Sequence, residues 1–174
     1  MELNPADIQH ALEEFTLDVA ITYLEGKVRR QGRDHLLYVE EYSLLIRRGG
    51  ALSGRKCISW EDASRLPLCL LVPEMLSASS PVRDLLLPGP TSSAYFETNS
   101  VTALRAHVRA GSCAAVLPRP LAVDLQAASA VECIAFPPFR NPITVGVAIP
   151  DRESTFPLAE AFFKAVVRAK ACGG

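Results

Sequence analysis

Long apolar runs are missing from this chain: "LPLCLLVP" is among the longest, far short of the roughly 18 residues that a membrane helix needs. No membrane partner is therefore expected. The opening "MELNPADIQ" has neither a basic stretch nor an apolar one, so no secretory signal is expected. An excess of positive charge is missing too. Lys and Arg number 18 against 19 Asp and Glu, a net −1, whereas a nucleic-acid-binding surface is normally basic. Paired cysteines are lacking: Cys57, Cys69, Cys113, Cys133 and Cys172 are odd in number and irregular in spacing, without a C-x-x-C. His10, His35 and His107 are scattered. Zinc sites and disulfide frameworks want tighter, paired arrangements. The expectation is reduced cysteines, mostly buried as small hydrophobes in a cytosolic protein, with no metal and no cofactor.

Catalytic signatures are lacking as well. "GGALSGRK" sets Gly49 and Gly54 at P-loop spacing, but Arg55 stands where lysine is required and no Ser or Thr follows. Ala51 occupies the first glycine position of a G-x-S-x-G. A flexible hairpin after a strand is the plainer reading. Glu13-Glu14 and Glu40-Glu41 are adjacent pairs, whose side chains face apart on a helix or strand. No Ser, His and Asp arrangement stands out. No catalytic residue is assigned.

What is present is a core. At 174 residues and 49% hydrophobic, the chain can form one domain or two small lobes. "PADIQHALEEF" places Ile8, Leu12 and Phe15 at helical spacing behind Pro5. "LDVAITYL" reads as a strand, and "HLLYVEEYSLLIRR" as two strand segments that could be continuous. "SWEDASRL" opens a short helix with Ser59 at the N-cap and Asp62 three residues on. "LCLLVP", "SAYFE", "CAAVLP", "VECIAF" and "ITVGVAI" are strands, and "SSPVRDLLL" is a helix. In "FPLAEAFFKAVVRAKA", Leu158, Phe162, Phe163, Val166 and Val167 make a wide apolar stripe. Strands apolar on both faces and separated by helices predict an α/β fold with a mostly parallel sheet.

The stretch "HVRAGSCAAVLP" packs a helix stop, a strand and a proline together. Val101, Leu104 and Val108 fix a helical face, and Gly111 can take the positive φ that ends the helix. "CAAVL" then enters the sheet, and Pro118 closes the strand. With the preceding strand this makes one β-α-β unit.

That unit resembles the Glu-…-Val-x-x-Gly-x-Gly-x-x-x-x-Pro segment of the effector-binding domain of LysR-type transcriptional regulators. The resemblance runs over essentially the whole chain. "ALEEFTLDVAITYL" is similar to the family's L-x-x-G-x-L-D-x-A-I, and "LLYVEEYSLLIRRGGAL" to the strand pair before its His-Pro-Leu. "ISWEDASRLPLCLL" is similar to I-x-x-x-D-L-x-x-x-P-L-I, and "STFPLAEAFFKAVV" to the closing helix. Cys113 replaces the second glycine of Gly-x-Gly, and Gly50-Ala51 stand for His-Pro. The family's helix-turn-helix, linker helix and first strand and helix have no counterpart here, so the chain is expected to be a fragment.

The resemblance implies a type II periplasmic-binding-protein-like fold: two α/β lobes with two crossovers, the first lobe incomplete. The first lobe is expected at residues 1–40 and 141–174, the second at 41–140. "PPFRNP" falls on the second crossover. The implied function is sensing of a small, carboxylated effector in the inter-lobe cleft, with homo-oligomers (a dimer, a tetramer in the full-length protein). DNA is reached only through the missing helix-turn-helix. A solute-binding protein of periplasmic type shares the fold and is the alternative. An enzyme and a fragment that binds nothing are further readings.

In such lobes ligands sit at strand C-termini, where helix N-termini point unpaired N–H groups. Thr98, Asn99 and Ser100 stand there, with capping by Asn99 or Ser100 an equally open reading. Val72, Pro73 and Met75 would form an apolar wall. Asn4, Pro5, Thr22 and Tyr23 are the expected contributions of the first lobe.

Overall fold

The computed structural model of the protein describes residues 5–24, 32–76, 80–87, 94–127, 130–150 and 156–172. The chain divides into two compact units. One comprises residues 1–39, 76–79 and 142–174, the other 40–75 and 80–141.

The first unit holds α1 (Pro5–Glu13), β1 (Ala20–Tyr23), β2 (Gly32–Glu40), β8 (Ile143–Pro150) and α6 (Pro157–Cys172). Its three strands lie in the order β1-β8-β2, and β1 runs antiparallel to β8 from Ala20 opposite Ala148 to Tyr23 opposite Val145. Leu12, Leu24 and Ala148 are buried together, with Ile8, Leu17 and Ala20 packed against them. The apolar face of α1 thus lies on the sheet.

The turn after α1 explains why β1 starts later than the apolar run "LDVAITYL". The Thr16 N–H donates to the Ala11 carbonyl at 2.9 Å and that of Phe15 to Leu12 at 3.3 Å, a Schellman pattern that needs a left-handed residue. Phe15 supplies it with φ 56°. At the centre of the sheet, Gly146 sits where a Cβ would lie 2.4 Å from the His35 carbonyl oxygen and 2.5 Å from Leu24 Cδ1.

Helix α6 departs from its expected stripe. Ala159 is buried and Phe163, Val166 and Val167 are half-buried, but Leu158 is 71% exposed, and Phe156 and Phe162 are exposed as well. Apolar spacing marks a face able to be buried; what covers it is a separate matter.

The second unit contains β3 (Tyr42–Arg47), α2 (Trp60–Ser64), β4 (Leu68–Leu71), α3 (Val82–Leu86), β5 (Phe96–Thr98), α4 (Val101–Ala110), β6 (Ala114–Pro118), α5 (Arg119–Ala127) and β7 (Val131–Ala135). A one-turn 3-10 helix spans Pro73–Met75. The five strands lie in the order β5-β4-β6-β3-β7. Strand β4 is parallel to β5 and β6, whereas β3 is antiparallel to β6 and β7. The sheet is mixed rather than mostly parallel. Strands β3, β4 and β6 carry runs of four or five buried residues, and burial on both faces gives continuous apolar runs whichever way a strand points.

Strands β2 and β3 are separate: they part at Glu41 and belong to different sheets. The core of the second unit includes Leu44, Leu45, Leu70, Leu104, Leu117 and Ile134. Ser59 caps α2, its hydroxyl accepting from the Asp62 N–H at 3.0 Å. Gly111 ends α4 in the left-handed region at φ 79°.

Cys69 and Cys113 are buried, Cys133 is half-buried and Cys57 is exposed, so burial of the thiols is only partial. All four are unpaired thiols. No described helix is long and apolar enough to cross a membrane.

Candidate functional site

The C-terminal ends of β4 and β5 lie side by side, with Leu71 opposite Thr98. The Val72 N–H extends the pairing by donating to the Thr98 carbonyl at 3.1 Å. From there the two chains diverge. One winds into the 3-10 turn Pro73–Met75, held by the Met75 N–H on the Val72 carbonyl at 3.0 Å. The other enters α4 through two hydroxyl contacts. The buried Thr98 Oγ1 accepts from the Ser100 N–H at 2.9 Å, and Ser100 Oγ accepts from the Ala103 N–H at 3.2 Å.

Ser100 is therefore the N-cap, which decides the capping question in its favour. Asn99 is exposed and plays no part in that cap. The two hydroxyls take the amides of Ser100 and Ala103, so those of Val101 and Thr102 remain for other acceptors at the positive end of the helix. This is an arrangement suited to an anionic group. Met75 is 37% exposed, so an apolar side chain stands on the neighbouring turn.

Six of the expected site residues (Val72, Pro73, Met75, Thr98, Asn99 and Ser100) thus meet at one strand edge of the second unit. Pro5, Thr22 and Tyr23 belong to the first unit. Pro5 opens α1, Thr22 is buried opposite Gly146, and Tyr23 ends β1. Asn4 lies outside the described residues.

The glycine-bearing loop after β3 is a clasp, not a phosphate cradle. The Gly49 N–H donates to Ser53 Oγ at 2.9 Å, and Glu132 Oε2 accepts from Ser53 Oγ at 2.6 Å and from the Gly54 N–H at 3.2 Å. The Ser53 hydroxyl, with Gly54 and Arg48, holds the Glu132 carboxyl below its usual range. Glycine spacing alone could not reveal that a carboxylate about 80 residues away fills the loop.

Burial, and secondarily the neighbouring Cys113, pushes the Cys69 thiol up to about 12. Burial raises Cys113 and Cys133 as well. A thiol so shifted is a poor nucleophile. Among the described residues no group of three or more His, Cys, Asp or Glu could hold a metal ion.

Sequence reasoning missed an aromatic cluster elsewhere in the second unit. Trp60 lies flat on Phe136 with centroids 3.9 Å apart, and Phe139 is 5.0 Å from Trp60 and 5.6 Å from Tyr42. The only sequence signal for it was a tryptophan and two phenylalanines more than 70 residues apart.

No curated protein matches the chain. Among solved structures, the regulatory domain of CcmR from Synechocystis in complex with 2-PG is similar at TM-score 0.75 and 15% identity, over 96% of this chain and 80% of that one. The effector-binding domain of QuiR in complex with shikimate is similar at TM-score 0.72 and 15% identity, over 96% and 78%. An OxyR mutant from Corynebacterium glutamicum is similar at TM-score 0.72 and 17% identity, over 97% of this chain but 53% of that one. The chain thus spans about half the length of that relative. These likenesses establish the type II periplasmic-binding-protein-like fold. The family model of the LysR substrate binding domain matches residues 1–171, and with the order of elements described above it places this chain in the LysR substrate-binding-domain family.

Proposed function

We propose that this chain is the effector-sensing and oligomerising part of a LysR-type transcriptional regulator. It holds a small carboxylated metabolite at the N-terminus of α4, between Asn99-Ser100 and the apolar turn of Val72, Pro73 and Met75. It acts in the cytoplasm without catalysis, metal or cofactor. DNA is contacted through the family's helix-turn-helix and not through these residues, in keeping with a net charge of −1. The family match favours this reading over the solute-binding alternative. One observation carries the site: two helix amides left over by the Thr98 and Ser100 caps, at the end of a parallel strand pair.

The test is a titration of the regulator with candidate carboxylated metabolites, repeated with Asn99→Ala and Ser100→Ala. Each lost contact to a carboxylate should weaken binding by about 1–3 kcal/mol. Loss of the Ser100 cap should also cost roughly 1 kcal/mol of stability. Asn99 carries no such cap, so its variant separates binding from folding. If an effector is found and both variants bind it unchanged, the assignment fails.

Self-association follows from the first unit. Ile21, on the edge strand β1, is 54% exposed, and α6 exposes Leu158 and Phe162. Edges and apolar patches of this kind recruit partners. A dimer is expected at tens of micromolar, with tetramers in the full-length regulator. Light scattering that returns only monomer would contradict it.

A further inference from the structure

We infer that the second unit carries a docking strip for an acidic peptide segment of a partner protein, formed by Arg47, Arg48, Arg55, Lys56 and Arg109. Three segments build it: the loop after β3, the end of α4 and the edge strand β7. The Arg47 side chain packs on the turn at Gly111, two residues after Arg109, where a Cβ would lie 3.1 Å from its Cδ. The Arg48 N–H donates to the Ala130 carbonyl at 3.0 Å, and its Nη2 to that of Val131 at 3.3 Å. The loop then follows β7 until the Lys56 carbonyl accepts from the Ala135 N–H at 3.2 Å. From Val131 to Ala135 is roughly 13 Å at the rise of a strand, the reach of about five residues of extended peptide.

The strip is charged and largely unpaired. All five residues are exposed, and among the described residues no carboxylate pairs with Arg47, Arg55, Lys56 or Arg109. Residues 47–56, 107–112 and 130–135 hold a single carboxylate, Glu132. One of its oxygens accepts from Ser53 and Gly54, and the other lies 4.0 Å from Arg48. Five cations against one carboxylate leave a net +4.

These features choose the partner. Four of the five cations are arginines, whose planar forks meet carboxylates through paired hydrogen bonds. Phosphates take the same forks, so the rest of the chain decides between a short acidic peptide and a nucleic acid. With the strip and Glu132 set aside, 13 Lys and Arg face 18 Asp and Glu, a net −5. A long polyanion running past the strip meets that negative excess, whereas a peptide of about five residues lies within the strip. The three segments also contain no Phe, Tyr or Trp, so the bases of a single strand find no ring to stack on. The strip lies at the last turn of α4 and the Thr98–Ser100 edge at its first, so either site can fail without the other.

Fluorescein-labelled hexaglutamate is titrated with the 174-residue chain and followed by fluorescence anisotropy. The signal should saturate at low salt, and the affinity should fall severalfold by about 0.15 M salt. Labelled hexalysine and a labelled DNA duplex should each bind at least about tenfold more weakly. Arg55 and Arg109 make no side-chain hydrogen bond or ion pair among the described residues. Arg55→Glu with Arg109→Glu should therefore fold, as far-UV circular dichroism checks, and weaken hexaglutamate by about tenfold or more. If that variant does not fold, Arg55→Gln with Arg109→Gln serves in its place and should weaken binding by about threefold or more. Lys164→Glu with Arg168→Glu makes the same change of net charge on α6 of the first unit, and should leave the affinity within about twofold. Absent or non-saturable binding at low salt overturns the inference. So do a duplex or hexalysine that binds as tightly, a folded strip variant that binds like the wild type, and an α6 variant that loses as much as the strip variant.

Discussion

Adding one methyl group at Gly146 should damage this fold more than deleting one usually does. The residue sits in the central strand β8, paired with Thr22 of β1. A Cβ there would come within 2.4 Å of the His35 carbonyl oxygen, 2.5 Å of Leu24 Cδ1 and 2.9 Å of Leu24 Cγ. Carbon and oxygen normally approach to about 3.3 Å, so the overlap with β2 is roughly 0.9 Å. Leu24 can rotate; a carbonyl in a sheet cannot move without its strand. Overpacking of well-ordered interiors costs about 1–3 kcal/mol, and a backbone clash belongs at the upper end. Glycine itself costs a strand about 0.5–1 kcal/mol relative to alanine, which would make Gly146→Ala mildly stabilising if the space were open. The two effects have opposite signs, and the clash should prevail, leaving a net loss of about 2 kcal/mol. That is a large share of a typical 5–15 kcal/mol stability. Urea unfolding followed by far-UV circular dichroism measures it. Gly111→Ala is the control: its φ is 79° but the nearest atoms belong to the flexible Arg47 side chain, so a loss of only about 1 kcal/mol is expected. A Gly146→Ala protein as stable as the wild type, or more so, would refute the close approach of β8 to β2.

Phe15 offers a paired comparison, because Phe15→Gly and Phe15→Ala remove the same ring and differ only in what the left-handed backbone tolerates. The glycine variant should be the more stable by about 1 kcal/mol in thermal or urea melts; equal stabilities would mean that residue 15 does not hold its positive φ. The cysteines divide by environment. At neutral pH, iodoacetamide followed by peptide mapping should label Cys57 quickly and leave Cys69 and Cys113 unmodified until the chain unfolds. Because the folded Cys69 thiol is held near 12 and an unfolded one ionises near 9, its contribution to stability should be constant below pH 9 and fall as pH rises from there. Glu132 and Glu160 have the opposite sign, held low chiefly by Ser53 and Arg33. Their contribution is present above the ordinary carboxylate pKa and is lost as acid protonates them; in a melt series across pH, a rise toward acid would contradict the carboxylate assignment and a rise above pH 9 the thiol one.

Features decided by a few neighbouring residues were legible in the sequence. Ser59 and Gly111 mark helix ends because a cap is made between residues three or four apart, and the same rule narrowed the cap of α4 to Asn99 or Ser100. The strand edge at Thr98–Ser100 was legible for the same reason, since it is a strand end followed by a capped helix. Strand direction was not: whether β3 runs with or against β6 depends on where residues 42 and 118 meet, and burial gives both cases the same apolar run. The break at Glu41 was open in the strand pattern, because two sheets share one extended stretch of chain, and only the family resemblance set a boundary between residues 40 and 41. The exposure of Leu158 and the stacking of Trp60 on Phe136 depend on partners that no local spacing encodes.

The place of β3 in its sheet has a consequence for how the chain is made. Its six residues, Tyr42–Arg47, are the first strand of the second unit to leave the ribosome, yet both their neighbours come late: Leu44 pairs with Val116 on one side and Ile134 on the other. At roughly 5–20 residues per second, the nearer partner follows about 4–14 s behind. During that interval "YSLLIR" is an apolar strand with two open edges, able to pair with another nascent chain. Glu40 and Glu41 precede it and Arg47 and Arg48 end it, and flanking charges of this kind discourage such pairing. Neutralising the exposed Glu41 and Arg47 should cost the finished protein at most about 1 kcal/mol and lower the soluble yield of its synthesis, a cost borne mainly before the native state exists.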